Sequence, residues 1–463
     1  MTKGFRTFMF AFFLLGFAVA APAIALYAQG YRLNWPIEPG KKLIVKTGGF
    51  FAKAYPKQID VYVNGRAEKQ TDFFFDSALV TNLLPRQHLF EIKKTGYQTW
   101  AKNLEVREKE VVEAKNIFLF PELPQFKTLE ENIADFSVSG DRQKIALRHE
   151  DGTSWNIKLY DIGRAVTAKL AGQSNFALKD PEFSGWTWID KNTIEISAKS
   201  KDASETYLIA IDKNPPQLVK KIPPEEEPAG KEEPEEISAV SVAPAAGENA
   251  AEEKPGAPRE LARGQNGGAD YYLADDGFIY NQENGGEPAL AAAGRIDVAA
   301  EAGYKLEIFG DYFFVAAEDR LMAIRKDGKE FEKILDSAPR GTKMAPNGKR
   351  VVYWSNSEIW IFHLEKKTDP PAAEAGEKTF IARFSEKITD CDWFNSDYLI
   401  FTAGDRVRTA EIDNRDKINF AEIAEFSKIG GENSSEGKMF MDQDKKILYL
   451  LAGKTLRQTN LYE

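Results

Sequence analysis

The first apolar block of this chain is continuous. Phe8 to Ala28 contains no charged residue. Coiled as a helix, about 21 residues at about 1.5 Å each reach about 31 Å, the thickness of a bilayer's hydrocarbon core. Pro22 is tolerable there, because neighbouring groups in a membrane helix satisfy the freed carbonyl. Beyond Ala28 the pattern changes to short stretches that alternate with period two. Ile59 to Val63 alternates and runs into Asn64-Gly65, the pair best suited to the two positive φ angles of a type I′ hairpin turn. Leu89 to Lys93 alternates again before Thr95-Gly96, and Leu104 to Val106 and Ile117 to Phe120 read as further strands. No helical periodicity interrupts them, so residues 43–122 predict a small β-sandwich, joined to the apolar helix by a linker at 29–42.

From residue 125 onward a unit of turn, strand, short turn and strand recurs imperfectly. The plainest copies are APNGKRVVYWSNSEIWIFHL, DWFNSDYLIFTAGDRVRTAEI and MDQDKKILYLLAGKTLRQTNL. Their turn centres at Asn356, Gly404 and Gly453 lie about 48 residues apart, a propeller-blade period. SVSGDRQKIALRHEDGTSWNIKLYDI is a fourth copy. Weaker ones begin at Ser184, Tyr272 and Ile308. About seven blades are expected over 125–463, since a lone four-stranded sheet exposes both faces and stacking around an axis covers them. The fold class is mainly β: an N-terminal transmembrane helix, a small sandwich, then the propeller.

Two stretches carry family resemblances. GGFFAKAYPKQIDVYVNGR, LLPRQHLFEIKKTGYQTW and LEVREKEVVEAKNIFL follow one another in an order that resembles a PEGA domain, with Pro56, Asn64, Gly65, Leu84, Pro85, Gly96, Tyr97 and Trp100 matching. Pro56-Lys57-Gln58-Ile59 shares only its proline with the four residues that name the family, and Arg86 stands where a glycine is usual. The resemblance implies a surface or envelope accessory module. APNGKRVVYW is similar to the S-P-D-G-K-x-I-A-Y motif of WD40-like repeats in TolB-type propellers, and SVSGDRQKIAL is a looser copy. That likeness implies a protein-binding platform and assigns no binding residue.

Charge narrows the partners. The formal net charge is −10, and residues 222–260 hold 11 Glu against 3 Lys or Arg, which leaves about −2 for the rest. No dense basic face exists to hold a phosphate backbone, so nucleic acid is not an expected partner. The 222–260 segment, rich in Pro, Glu, Ala and Gly, is expected to be a disordered acidic insert between the second and third blades.

Candidate chemistry is sparse. The single cysteine, Cys391, forms no intrachain disulfide and is expected to be a buried structural thiol. His88, His149 and His363 show no metal-ligand spacing, so no metal or cofactor is expected. Asp275-Asp276-Gly277 and Asp442-Gln443-Asp444 read as hairpin turns and lack calcium-loop spacing. Tyr97 and Trp100 suit either a carbohydrate platform or core packing, of which packing is the expected role. No catalytic residue and no binding residue can be named.

The expected function is a non-catalytic binding or scaffolding protein of the cell envelope. Residues 1–7 form a cytoplasmic tail with Lys3 and Arg6, residues 8–28 hold the membrane, and everything after Gln29 lies outside the cytoplasm. Counting Arg32, Lys41, Lys42 and Lys46 as well erases that charge bias. The expected partner is an envelope protein or a cell-wall glycan. Two alternatives stand beside this reading. One is a polysaccharide-active propeller enzyme with paired carboxylates at the central channel. The other is a secreted adhesin, if the apolar run is a signal peptide cut near Ala20 or Ala23.

Overall fold

The computed structural model describes residues 3–35, 42–71, 76–201, 203–213, 216–221, 258–282, 288–299, 302–431 and 437–462. The apolar run forms a helix over Lys3–Ala28 with no buried residue, and it is long and apolar enough to cross a membrane. It starts inside the segment expected to be a tail, because nothing before Phe8 breaks the backbone ladder; Thr7 Oγ1 donates to the Lys3 carbonyl at 3.1 Å. The expected linker is also structured at its start. Tyr31–Leu33 pairs antiparallel with Ile44–Lys46, giving a two-stranded ribbon directly after the helix.

The small domain is built from two sheets around one core. Gly48–Tyr55 sits between Ser77–Leu83, antiparallel, and Val111–Phe118, parallel. The other sheet runs in the order Arg66–Gln70, Asp60–Val63, Gln87–Lys93, Trp100–Glu105. The strands expected at Leu104 to Val106 and Ile117 to Phe120 start earlier, at Trp100 and Val111, because polar residues extend the alternation past the apolar stretch. Asn64 and Gly65 both take positive φ, 50° and 77°, and close the hairpin that pairs Val63 with Arg66. Phe50 stacks on Phe90 across the core at 3.8 Å between ring centres.

The rest of the chain is a β-propeller. Among the described residues, seven four-stranded antiparallel sheets follow in sequence, over 133–172, 182–220, 260–290, 305–335, 341–383, 388–425 and 438–460. The last is completed by Lys127–Glu131, which pairs with Thr455–Asn460. The first and last strands of the propeller therefore share one sheet, which leaves no open end to the ring. Strands such as Tyr398–Ala403 are buried at every position, as covering on both faces demands.

Within the acidic insert, residues 222–257 lie outside the described residues. Glu260, assigned to the insert by composition, instead opens the strand Glu260–Asn266. That strand is polar (Arg263, Gln265, Asn266) and shows no apolar alternation to read. Gly277 turns at φ 84°, where an added Cβ would lie 2.0 Å from the Ile296 carbonyl, so the Asp275-Asp276-Gly277 turn needs its glycine.

Trp393 is wholly buried between two sheets, and its Nε1 donates to the Lys343 carbonyl at 2.9 Å. Trp393→Ala should cost about 3–5 kcal/mol through the cavity it leaves, read as a lowered denaturation midpoint by tryptophan-independent circular dichroism.

Candidate functional site

The junction of the two domains begins with an alternation. On Trp100–Glu105 the side chains of Trp100, Lys102 and Leu104 point inward, and the middle one is a lysine. Lys102 is 0% exposed. Its Nζ lies 2.7 Å from Glu411 Oε1 and donates to the carbonyls of Asp413 at 2.8 Å, Arg415 at 2.9 Å and Lys417. The propeller loop after Arg406–Glu411 thus curls around one amine of the small domain. Glu411 is saturated from both sides: Oε2 accepts Trp100 Nε1 at 2.7 Å, and Oε1 accepts the Asn419 amide N–H at 2.9 Å and Nδ2 at 2.7 Å. Burial pushes the Glu411 carboxyl pKa up, while Lys102 and Trp100 act against it. Asp416 Oδ2 accepts the Asn103 amide at 2.8 Å, and Gln98 Nε2 donates to the Glu422 carbonyl at 2.8 Å.

Beside this polar contact lies an aromatic one. Phe118 packs on Phe394 and on Tyr462, each at 4.7 Å between centroids, and Phe120 meets Phe394 at 5.0 Å. The Tyr398 hydroxyl accepts the Phe118 amide at 3.0 Å, and Tyr55 donates to the Tyr462 carbonyl at 2.5 Å. Burial pushes the Tyr398 phenol well above its ordinary value.

Between these contacts opens a cavity of about 420 Å³, walled by residues 113–117 of the small domain and by the propeller segment 365–371. Most of its charges are already paired. Arg415 clasps Asp413 at 2.6, 3.0 and 3.1 Å. Burial raises the Asp413 carboxyl, but its bonds to Arg415 outweigh this and hold it below the usual range. Lys115 pairs with Glu113, and Lys349 with Glu365. Arg350 differs. It is 7% exposed, its Nη1 has no hydrogen-bond partner, and Asp397 stands 3.7 Å away. His363 is buried beside it, with Nε2 bonded to Thr379 Oγ1 at 3.0 Å. Burial, then the charge of Arg350, lowers its pKa to about 4, so the ring is neutral at pH 7. Burial and Arg350 likewise lower the Lys367 amine. The arrangement offers donors to an oxygen-bearing ligand. It brings no nucleophile and base together.

A second polar cluster lies where first strands of adjacent sheets meet, near the propeller axis. Lys343 Nζ sits 2.9 Å from Asp390 Oδ1 and 3.4 Å from Asp392 Oδ2. Arg142 Nη2 is 2.9 Å from Asp392 Oδ2 and donates to the Met441 carbonyl at 2.6 Å. The backbone N–H of Cys391 donates to the same Asp390 Oδ1 at 2.8 Å, and that of Trp393 to Asp392 Oδ1 at 2.7 Å. Burial raises the Asp390 carboxyl, opposed by Lys343.

The residues singled out from sequence are scattered. Cys391 is fully buried, and burial drives its thiol pKa well up. His88 is a buried pin in the small domain, between Asn64 Nδ2 at 2.9 Å and the Leu84 carbonyl at 2.8 Å. His149 meets Asn156 at 3.4 Å. Trp100 is buried in the junction and Tyr97 packs against the small-domain core, so neither forms an open platform. Asp276 caps its own turn and accepts the Tyr280 hydroxyl at 2.6 Å; Asp442 Oδ1 accepts the amides of Asp444 and Lys445. Among the described residues, no three His, Cys, Asp or Glu side chains gather as a metal site would require.

No family model matches the chain, and no curated protein matches it. Solved structures do. A chain of the mitotic checkpoint complex is 11% identical, covers 74% of this chain and 93% of its own, with a TM-score of 0.39. YCF48 from Cyanidioschyzon merolae is 10% identical over 72% and 98%, with a TM-score of 0.34. The β-propeller domain of Cps50 (Swd1) from Myceliophteria thermophila is 9% identical over 72% and 99%, also at 0.34. These values say nothing of function.

Lys102→Met should destabilise the protein by about 3–5 kcal/mol, since it strands a buried carboxylate. Adding Glu411→Gln should recover part of the loss. Thermal denaturation of both variants checks this.

His363 gives a pH dependence. Unfolded, it binds a proton near 6.5; folded, only near 4. Its contribution to stability is complete above about pH 6.5 and is lost as pH falls toward 4, by up to about 3 kcal/mol. Denaturant titrations at pH 7, 5.5 and 4 should show a flatter acid limb in His363→Gln than in the parent.

Proposed function

We propose that this chain is a non-catalytic, membrane-anchored binding or scaffolding protein that presents its propeller, on the outer side of the cytoplasmic membrane, to an envelope protein or glycan. In this reading the small domain is a PEGA-type spacer and the ring has seven blades. The observation that carries it is the locked junction. Lys102, enclosed by the propeller's own carbonyls, fixes the large domain on the small one. Arg32 fixes the small one to the helix, with Nη2 2.8 Å from Asn82 Oδ1 and Nη1 2.8 Å from the Tyr27 carbonyl. A chain whose parts are held in one orientation suits display at a fixed distance from a bilayer.

Two further features support binding over turnover. The Asp390–Asp392 pair, the nearest thing to the carboxylates a glycosidase needs, is engaged by Lys343, Arg142 and backbone amides. The junction cavity offers Arg350 as a donor, and its histidine is neutral and bonded to a threonine.

After alkaline carbonate extraction the full chain should stay with membranes. A cysteine placed at Leu123, 81% exposed, should react with an impermeant reagent in intact cells once any outer barrier is permeabilised. Labelling only after the cytoplasmic membrane is lysed would reverse the topology. A mature chain starting near Ala21 or Ile24 would establish a secreted protein, and release of reducing ends from cell-wall polysaccharide would establish an enzyme.

A further inference from the structure

The ribbon that follows the helix has two unlike faces. Its register pairs Tyr31 with Lys46, Arg32 with Val45 and Leu33 with Ile44. Because neighbouring residues of a strand point to opposite sides, the Arg32–Val45 pair makes one face and the other two pairs make the second. The first is used inside the protein: Val45 is buried, and Arg32 lies 3.5 Å over the Tyr27 ring while bonding Asn82. Among the described residues, the second is left largely uncovered. Leu33 is 64% exposed, and Ile44 opposite it is exposed too. Trp35, 73% exposed, extends this apolar edge past the paired residues. The Lys46 amine lies 4.9 Å over the Tyr31 ring at the other end.

The composition of this face matches one solvent boundary. Tryptophan, tyrosine, aliphatic side chains and lysines that can reach water are the residues that settle at the headgroup level of a bilayer. Position selects the same occupant. The ribbon begins three residues after the helix ends at Ala28, and it cannot swing away freely. The Gly30 carbonyl accepts both the Thr47 amide at 2.9 Å and Thr47 Oγ1 at 3.0 Å, and Arg32 ties the helix end to the small domain. A helix that leaves the hydrocarbon at Ala28 therefore delivers Leu33, Trp35 and Ile44 to the interface.

We propose that the outward face of this ribbon is a membrane foot: it lies in the headgroup boundary of the bilayer that the helix spans and so sets the tilt of the domains above. The proposal rests on the reading of Lys3–Ala28 as a retained span. It separates from that reading, because a span alone requires only that the helix be inserted.

The test uses the full chain in vesicles of phosphatidylcholine and phosphatidylglycerol. An environment-sensitive fluorophore is attached to a cysteine placed at Leu33, Ile44 or, as a propeller control, Val166; the native Cys391 is buried and stays unlabelled. Labels at 33 and 44 should show blue-shifted emission. They should be quenched most by lipid nitroxides about 5–10 Å below the headgroup boundary, the depth reached by interfacial segments. The label at 166 should be unquenched. In a Leu33→Asp/Ile44→Asp chain, a label on a cysteine at Trp35 should lose its quenching while the protein still floats with the vesicles. Floating protein whose labels at 33 and 44 behave like the one at 166 overturns the foot and leaves the anchor standing. Protein that does not float with vesicles overturns the anchor, and the foot with it.

Discussion

One buried amine organises this molecule. Lys102 sits where a strand of the small domain should present an apolar side chain, and an unpaired ammonium there would be intolerable. The propeller supplies one carboxylate and three carbonyls, and so takes up a definite position relative to the small domain. An apolar side chain at this place would have allowed sliding. A charge that must be met in full admits one register. The neighbouring rings of Phe118, Phe120, Phe394, Tyr398 and Tyr462 add area to the contact but are less exacting about direction.

Much of the fold was legible because its determinants are local. The uncharged run marked the helix, Asn64-Gly65 marked a hairpin, and the recurring turn at Asn356, Gly404 and Gly453 marked three sheets. Elements defined by pairing were harder to see. Tyr31–Leu33 reads as linker because a three-residue strand has too few positions to show alternation, and its partner Ile44–Lys46 does not follow it directly in sequence. Glu260–Asn266 was hidden by its polarity, which resembles the insert it follows. The junction was written in two places 311 positions apart for Trp100 and Glu411, and neither place announces the other. One local signal points to it: in Trp100, Lys102, Leu104 the lysine holds an inward position by parity, which asks for a buried counter-charge somewhere in the chain. Arg350 offers no such cue, since the unmet hydrogen bond of its Nη1 is a property of the packed site.

The two polar clusters show how burial sorts charge. Near the axis, Asp390 and Asp392 share Lys343, Arg142 pairs with Asp392, and each carboxylate also accepts a backbone N–H. Such a network holds adjacent sheets together. In the junction cavity the pairing stops one bond short at Arg350, and burial first, then the Arg350 charge, makes both His363 and Lys367 hold a proton less firmly. Position, more than residue type, separates a structural charge from one with capacity to spare.

The closing strand acquires a mechanical meaning from this arrangement. Lys127–Glu131 is an outer strand, held to the ring along one side by Thr455–Asn460. If tension from an anchored helix reached it directly, its bonds would break one after another from the end, the weakest way to load a β ladder. The chain does not arrive there unsupported. Phe118 and Phe120 are clamped among propeller aromatics a few residues earlier, and Lys102 is caged by the neighbouring sheet. A pull on the chain before residue 118 would thus be borne first by this broad contact, and the strand that keeps the ring shut lies downstream of the strain relief.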